Sequence, residues 1–557
     1  MRRFTPAWTR PILFRFAPHL RFWPERVERA ASLLSAVAAL LAALLLAAPV
    51  RAMSADQMAW AADTRFTLSD AKGAKVADTA FRGRFLLLQA TPGPCAKACR
   101  DRAAEVRTAV AGLGDLAGRL RFVQVSTDPA PGGEALHGPA ETIKRLLQGH
   151  GVAGAGPDGA LLLDDENGVF VERLDGPAPV LADRLRRLLT ARVSYIGIDE
   201  ELWDYAPKRV DLMMGAALDA QQQTFVYNKP QQIGSVYLKA IYHGYTDGGF
   251  KTRIARAPQW AHLGILGPVL RAEVGDTLRV VVRNNARRAY SLHVHGLRYT
   301  ASSEGAMTAG VPGPWGIVPP GGTYTYVFDV PERAGPGPGD PSSVVWPYHS
   351  HADAGVDEDT GLVGAVIVTR KGMARPDGSP KDVDREFVTL FKIFDENQSA
   401  LLQDNIDRFT EPGRAPAATF LDEDDIPSDT DTRAWVDSNQ KRAINGYLFA
   451  NLPGLDMHLG ERVRWYVIGL GSESDLHTPH WHGATVTVGG RREDTVEVLP
   501  ATTVVADMIP DDLGVWMFHC HVTEHLNDGM TALYRVLPMS TPLPAPLSAP
   551  LAAQGPK

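Results

Sequence analysis

A chain of 557 residues is too long for one ordinary domain and leads to an expectation of three or four. Its 45% hydrophobic and 22% charged content is that of a globular protein with real cores and excludes a disordered one. A formal net charge of −7 argues against nucleic acid as a partner, because phosphate binding needs a basic face, and suits metal cations or small organic reductants better.

Residues 30–49, AASLLSAVAALLAALLLAAP, form an uncharged apolar run preceded by seven arginines and followed by Val50-Arg51-Ala52. That order is basic n-region, h-region and small-residue cleavage site, so 1–52 reads as a signal peptide. The run is also long enough to span a bilayer, which leaves an uncleaved N-terminal membrane anchor as the alternative. Either way the rest of the chain is expected outside the cytoplasm, in a periplasmic or extracellular setting.

Residues 53–192 alternate strand and helix patterns. RFLLLQA (84–90) reads as a buried strand that turns through Thr91-Pro92-Gly93-Pro94 into a helix near Cys95; RLRFVQVS (119–126) is a second strand and ETIKRLLQG (141–149) a second helix. GALLLDDENGVFVERL (159–174) reads as a hairpin and VLADRLRRLLTA (180–191) as a closing helix. Strand, cysteine pair at a helix N-terminus, then βαββα is an α/β thioredoxin-like plan. From Ser194 the texture changes to short alternating strands with Gly, Pro and Asp turns, among them LRVVVRNN (278–285), TYTYVFDV (323–330), RVRWYVIG (462–469) and TALYRVL (531–537). These are the marks of β-sandwiches, and the stretch has room for two, at 193–371 and 385–540, joined through a Gly/Pro-containing linker. The Pro/Ala-rich tail, 541–557, reads as disordered.

Sixteen histidines occur, and ten fall in four clusters: His293 and His295; His349 and His351; His477, His480 and His482; His519, His521 and His525. An isolated histidine is ordinarily a packed or surface residue, but that reading does not produce four clusters with H-x-H spacing. On a strand, residues i and i+2 point the same way, so each such pair can grip one site. Imidazole suits copper, and a thiolate with two imidazoles and a weak axial methionine makes an electron-transfer copper site. His477, Cys520, His525 and Met530 supply that set. His519 and His521 flank Cys520 and project away from it, so the segment joins one copper to a second metal site on the other face. Eight histidines remain, the number a three-copper cluster needs.

These motifs resemble those of the multicopper oxidases, and the surrounding sequence over about 194–540 is similar to the ceruloplasmin–hephaestin branch. The stretches that carry the likeness include YIGIDEELWDYAP, HLGILGPVLRAEVGDTLRVVVRNNARRAYSLHVHG, PGPGDPSSVVWPYHSH and GVWMFHCHVTEHLNDGM. The resemblance implies two cupredoxin (Greek-key β-sandwich) domains and four coppers per complete unit. His477, Cys520, His525 and Met530 would bind type 1 copper and His293 and His480 type 2. His295, His349, His351, His482, His519 and His521 would bind the type 3 pair. The implied activity is one-electron oxidation of a substrate coupled to reduction of O2 to water. Reducing O2 requires protons, and Glu304 resembles the acid found near the cluster in this branch.

The reductant is open between Fe(II), Cu(I) and phenolic or amine donors of the laccase kind. Glu524 abuts His525, and Asp437 lies where the ferroxidase members carry a glutamate, but Arg442 stands where they carry a histidine. A guanidinium is no metal ligand and repels cations. The acidic loop LDEDDIPSDTD (421–431) could attract cations, although such a loop is more often simply solvated. At the N-terminus, Cys95 and Cys99 in TPGPCAKAC form a redox thiol pair, and about 64–190 resembles the SCO/SenC thioredoxin-fold copper chaperones. Those proteins carry a further histidine before the strand corresponding to 161–164, which is absent here; a thiol–disulfide role or a degenerate domain gains accordingly.

Two competing readings stand beside this one. A copper nitrite reductase also has two cupredoxin domains, but the coupled pair of cluster coppers would be surplus. A non-catalytic copper storage or delivery protein would not require thiolate wiring between two sites. The histidines of the cluster come from both sandwiches, and two sandwiches with a short linker cannot close a ring alone. Three chains head to tail give six domains, so a homotrimer with clusters at subunit interfaces is expected.

Overall fold

The computed structural model describes residues 64–128, 134–152, 154–230, 232–306, 316–415 and 430–543. The expected leader (1–52), residues 421–429 of the acidic loop and all but the first three residues of the tail lie outside them. Among the described residues no helix is long and apolar enough to cross a membrane.

The fold is a thioredoxin-like α/β domain followed by two cupredoxin sandwiches. The first domain is built on Phe85–Ala90, a strand buried at all six positions. Alternate side chains enter two different cores, Leu86, Leu88 and Ala90 on one face, Phe85 and Leu87 on the other. A strand covered on both faces is therefore a continuous apolar run. It pairs parallel with Leu120–Ser126 and antiparallel with Ala160–Asp164 in a seven-stranded sheet. Helix Ala178–Leu189 closes one face by burying Leu181, Leu185, Leu188 and Leu189, each contributing about 1.5–3 kcal/mol.

Two residues after that helix, strand Arg192–Asp204 begins the first sandwich, so the two domains are closely joined. Arg184 bridges them, 2.6 Å from Glu172 of its own domain and 2.7 Å from Asp329 of the sandwich. Arg279, at 2% exposed, reaches from the sandwich to Glu166 at 3.3 Å and lies 4.7 Å over the Phe85 ring.

Each sandwich has two sheets. In the first, Thr323–Asp329, Thr277–Asn284, Arg192–Asp204 and Val236–Tyr245 oppose Leu270–Glu273, Val363–Thr369, Ser343–His349 and His293–Val294. In the second, a six-stranded sheet around Arg385–Asp395 and Val463–Gly469 opposes Asp456–His458, Thr531–Leu537, Gly514–Cys520 and Pro479–Trp481. In both, the opening strand runs parallel to its partner: Arg192–Asp204 to Thr277–Asn284, and Arg385–Asp395 to Val463–Gly469. A shared core joins the sandwiches, with Ile241, Val345 and Ile367 meeting Val388, Leu390 and Phe394. Polar ties cross the same seam: Arg271 to Glu386 at 2.8 Å, and Lys239 to Glu396, a pair fully withdrawn from water. Helices Leu402–Phe409 and Thr430–Asn439 lie in the connections, where the sequence reading expects little helix.

Candidate metal centres

The register of the second sandwich builds its centre. Pro479–Trp481 pairs antiparallel with Gly514–Cys520, setting His480 opposite His519 and Pro479 opposite Cys520. Because side chains alternate along a strand, His519 and Cys520 face opposite ways. On one side the rings of His480, His482, His519 and His521 gather, with centroids between 4.5 and 5.6 Å apart. His482 Nε2 lies 3.0 Å from His519 Nε2, and His519 Nδ1 donates to the Cys520 carbonyl at 2.7 Å, which turns Nε2 toward the cluster. His480 Nδ1 is buried with no hydrogen-bond partner. A lone imidazole nitrogen left this way among three other imidazoles suits a metal.

On the other side, Cys520 Sγ is 3.6 Å from His525 Nδ1 and 3.9 Å from His477 Nδ1, and the two nitrogens are 3.2 Å apart. Met530 is fully buried beside them, and its carbonyl accepts the Cys520 N–H at 3.1 Å. His477 Nε2 donates to Asp475 Oδ1 at 3.1 Å, fixing the tautomer that presents Nδ1 to the thiol. Burial of Cys520 opposes ionisation, but hydrogen bonds from His477, His525 and the Thr478 and Val522 amides outweigh it and lower the thiol to about 6. A thiolate is thus available at neutral pH, as a metal ligand must be.

The first sandwich repeats the device with four imidazoles and no thiol. His293 pairs in register with His349, and His295 and His351 follow each by two residues. Ring centroids lie between 5.2 and 5.6 Å apart, and His295 Nε2 is 3.1 Å from His349 Nε2. His293 Nδ1 donates to the Glu304 carbonyl at 2.6 Å, so the acid singled out from sequence touches this centre through its backbone. Burial, with neighbouring imidazoles adding to it, holds His295 at about 4 and His349 at about 3; His519 is likewise held at about 4. These histidines are neutral at pH 7, with lone pairs free for a cation. Among the described residues, no ring contact joins the four histidines of the first sandwich to the four of the second.

Three carboxylates that the sequence reading passes over complete these surroundings. Asp475 orients His477. Glu358, in the short helix Val356–Thr360, lies 3.1 Å from His349 Nδ1. Asp528 stands three residues beyond His525 and pairs with Arg442 at 3.2 Å, while Gln221 donates to it at 3.0 Å. Glu524 and Asp437 are both exposed, the latter on helix Thr430–Asn439, and both carboxylates act on Asp528: burial raises its pKa first, Arg442 and Gln221 oppose this, and Glu524 and Asp437 add to it. Only Asp475 left a signal, an Asp-x-His spacing.

In the first domain Cys95 and Cys99 form a disulfide, Cys95 preceding helix Lys97–Ala111 and Cys99 buried in its first turn. The two histidines described there are engaged elsewhere, His137 with the Asp70 carbonyl and His150 with Asp164 at 2.9 Å.

Comparison with known proteins agrees with this geometry. Residues 262–372 and 425–540 each match the multicopper oxidase family, and 54–150 match SCO1/SenC. Ferroxidase HEPHL1 of Mus musculus is 41% identical over 353 residues, 62% of this chain and 29% of that protein. Hephaestin of Homo sapiens is 39% identical, covering 63% of this chain and 29% of its own length; for ceruloplasmin of Homo sapiens the figures are 38%, 63% and 31%. The chain spans about three-tenths of the length of these relatives.

Proposed function

We propose that this chain, whose two β-sandwiches are multicopper oxidase domains, couples one-electron oxidation of a substrate to four-electron reduction of O2 to water. The observation that carries the reading is the segment His519-Cys520-His521. Its thiol joins one three-donor set, with Met530 behind it, and its two imidazoles join another on the opposite face. Nitrite reduction at a lone three-histidine copper would leave His351, His482 and one of the two imidazoles flanking Cys520 surplus, and storage calls for no thiolate wiring between sites.

Copper bound at these sites supplies the one-electron redox chemistry. His477, Cys520, His525 and Met530 would hold type 1 copper, His293 and His480 type 2, and His295, His349, His351, His482, His519 and His521 the type 3 pair. The protein's own contribution is to keep His293, His295, His349, His480 and His519 neutral by burial and to fix tautomers through Asp475, Glu304 and the Cys520 carbonyl. Glu304 is the proposed proton donor to the reacting oxygen, one peptide carbonyl away from His293. The copper-loaded protein should be blue and consume O2, and Cys520→Ser should abolish both while leaving the sheets intact. Turnover surviving in that variant would refute the reading.

The separation of the two histidine sets within one chain supports a homotrimer in which each first sandwich meets the second sandwich of a neighbour. The reductant is a metal ion such as Fe(II) or Cu(I), or a phenolic or amine donor. Glu524 and Asp437 favour the cation, and the Arg442–Asp528 pair favours the organic donor. We place the protein outside the cytoplasm, with the SCO-like domain acting in thiol–disulfide exchange or copper loading.

A further inference from the structure

Two strands of the first domain interrupt their apolar runs with glutamine at the same register position. Gln89 of Phe85–Ala90 pairs with Gln124 of Leu120–Ser126, and the two are 1% and 4% exposed. Each follows an apolar residue by two, Leu87 and Phe122, so both amides lie on the face that packs against Val106 and Ala109 of helix Lys97–Ala111. A primary amide in such a layer costs stability unless its polar atoms are paired.

The pairing fixes which way each amide points. Gln89 Nε2 donates to the carbonyls of Asp158 at 2.7 Å and Cys99 at 2.9 Å, and lies 3.8 Å from Cys99 Sγ. Its Oε1 accepts from Gln124 Nε2 at 3.4 Å, and that nitrogen lies 3.8 Å from Cys95 Sγ. Gln124 Oε1 takes the guanidinium of Arg107, a group that only donates, at 3.3 Å. The chain Arg107–Gln124–Gln89 thus begins on an exposed cation and sets one amide N–H group on each sulfur of the Cys95–Cys99 disulfide. A positive charge at the head of such a chain polarises the donors behind it. Cys95 is half-buried and Cys99 only 1% exposed, so a thiol arriving from outside meets Cys95 first.

We propose that the two glutamines make this disulfide an acceptor of electrons from an external dithiol. One thiolate of the dithiol attacks Cys95 Sγ: a mixed disulfide forms, the Cys95–Cys99 bond breaks, and Cys99 leaves as a thiolate on the Gln89 N–H. The second thiolate of the dithiol attacks its own sulfur in the mixed disulfide and releases Cys95 as a thiolate on the Gln124 N–H. The partner ends as a disulfide, its two protons pass to water, and the cysteine pair holds the two electrons. A donor aimed at a thiolate stabilises the reduced pair and makes each sulfur a better leaving group.

The inference rests on the thiol–disulfide reading of the domain and not on copper. Its test uses copper-loaded full-length protein under argon. Glutathione opens the disulfide, iodoacetamide traps Cys95 of the reduced protein, and peptide mass reads both. Gln89→Met keeps the shape and removes the N–H, and should slow opening about ten-fold. Gln124→Met should move the pH profile of Cys95 alkylation to higher pH, and Arg107→Ala should move it the same way by less. Should Gln89→Met fail to fold, Gln124→Met and the exposed Arg107→Ala carry the test. Wild-type behaviour in either glutamine variant overturns the proposal and leaves the amides as packing. A wild-type disulfide that glutathione opens only in urea overturns the thiol–disulfide reading beneath it.

Discussion

The guanidinium of Arg442 lies 3.2 Å from the carboxylate of Asp528, three residues past His525, so a cation built into the chain already occupies the acidic surroundings of the Cys520 site. The pair is largely buried, at 15% and 12% side-chain exposure, and Gln221 completes it. Glu524 and Asp437 remain exposed, and both act on the Asp528 carboxylate.

If these two guide a metal ion, Glu524→Ala should raise KM for Fe(II) or Cu(I) and spare a phenol. An exposed charge contributes up to about 1 kcal/mol, so the expected rise is roughly five-fold. Steady-state kinetics on both donor classes decides it. Equal losses on the two would assign Glu524 a structural role and favour the organic donor.

Much of this was legible in sequence, because both fold and centres are written in short periods. The buried run FLLLQA and the sandwich strands follow from alternation and apolar continuity, and the H-x-H pairs mark their own strands. The outer partners were hidden for the same reason. Glu358 and Asp359 belong to VDEDTG, which reads as a solvated acidic turn, yet helix Val356–Thr360 buries them. Lys392 interrupts the apolar LFKIF and reads as an outward-facing residue; the strand lies between two sandwiches, so neither face is outward. Helix Leu402–Phe409 has Leu402, Ile406 and Phe409 at helical spacing, but two turns are too short a period to stand out.

The disulfide between Cys95 and Cys99 sits in a domain that contributes none of the ten clustered histidines. Cys95→Ser/Cys99→Ser should therefore leave O2 consumption unchanged in protein loaded with copper in vitro, while copper acquired in the cell falls. Oxygen uptake and copper content of both preparations separate the two effects. A large loss in the fully metallated variant would bring the first domain into turnover.

The docking of that domain carries a pH dependence. Asp165 is raised to about 6, burial being the main cause, with Arg279 and the Val169 and Asn167 amides opposing and Glu166 adding to it. A carboxylate whose folded pKa lies above its ordinary 3.8 binds its proton more tightly folded than unfolded. Stability should therefore rise as pH falls from 7 through 6 toward 4, by up to about 3 kcal/mol for a shift of this size. Asp165→Asn keeps an oxygen for the Asn167 and Val169 amides, each 2.9 Å away, and should flatten that rise. Urea unfolding at pH 5 and pH 7.5 measures it; a variant with the wild-type pH slope would show that Asp165 titrates normally.

His293, His295, His349 and His351 gather on the first sandwich and His480, His482, His519 and His521 on the second, and among the described residues no ring contact bridges them. Four imidazoles on one surface are half of the eight that the proposed three-copper cluster needs. The shared core and the Lys239–Glu396 and Arg271–Glu386 pairs fix the two sandwiches against each other, so one chain cannot fold its halves together without breaking that seam. Opening that seam would expose the shared apolar core, at about 1.5–3 kcal/mol for each large side chain uncovered, among them Ile241, Val345, Leu390 and Phe394. In the proposed homotrimer a neighbour's second sandwich meets this chain's first, a head-to-tail contact that would close as a ring of three. Light scattering on copper-loaded protein should give three times the mass of one chain. His351→Ala and His482→Ala proteins, each inactive alone, should recover partial activity when refolded together, because a mixed ring contains some interfaces with both wild-type faces. An active monomer, or mixed rings with no activity, would mean that each cluster is completed within one chain.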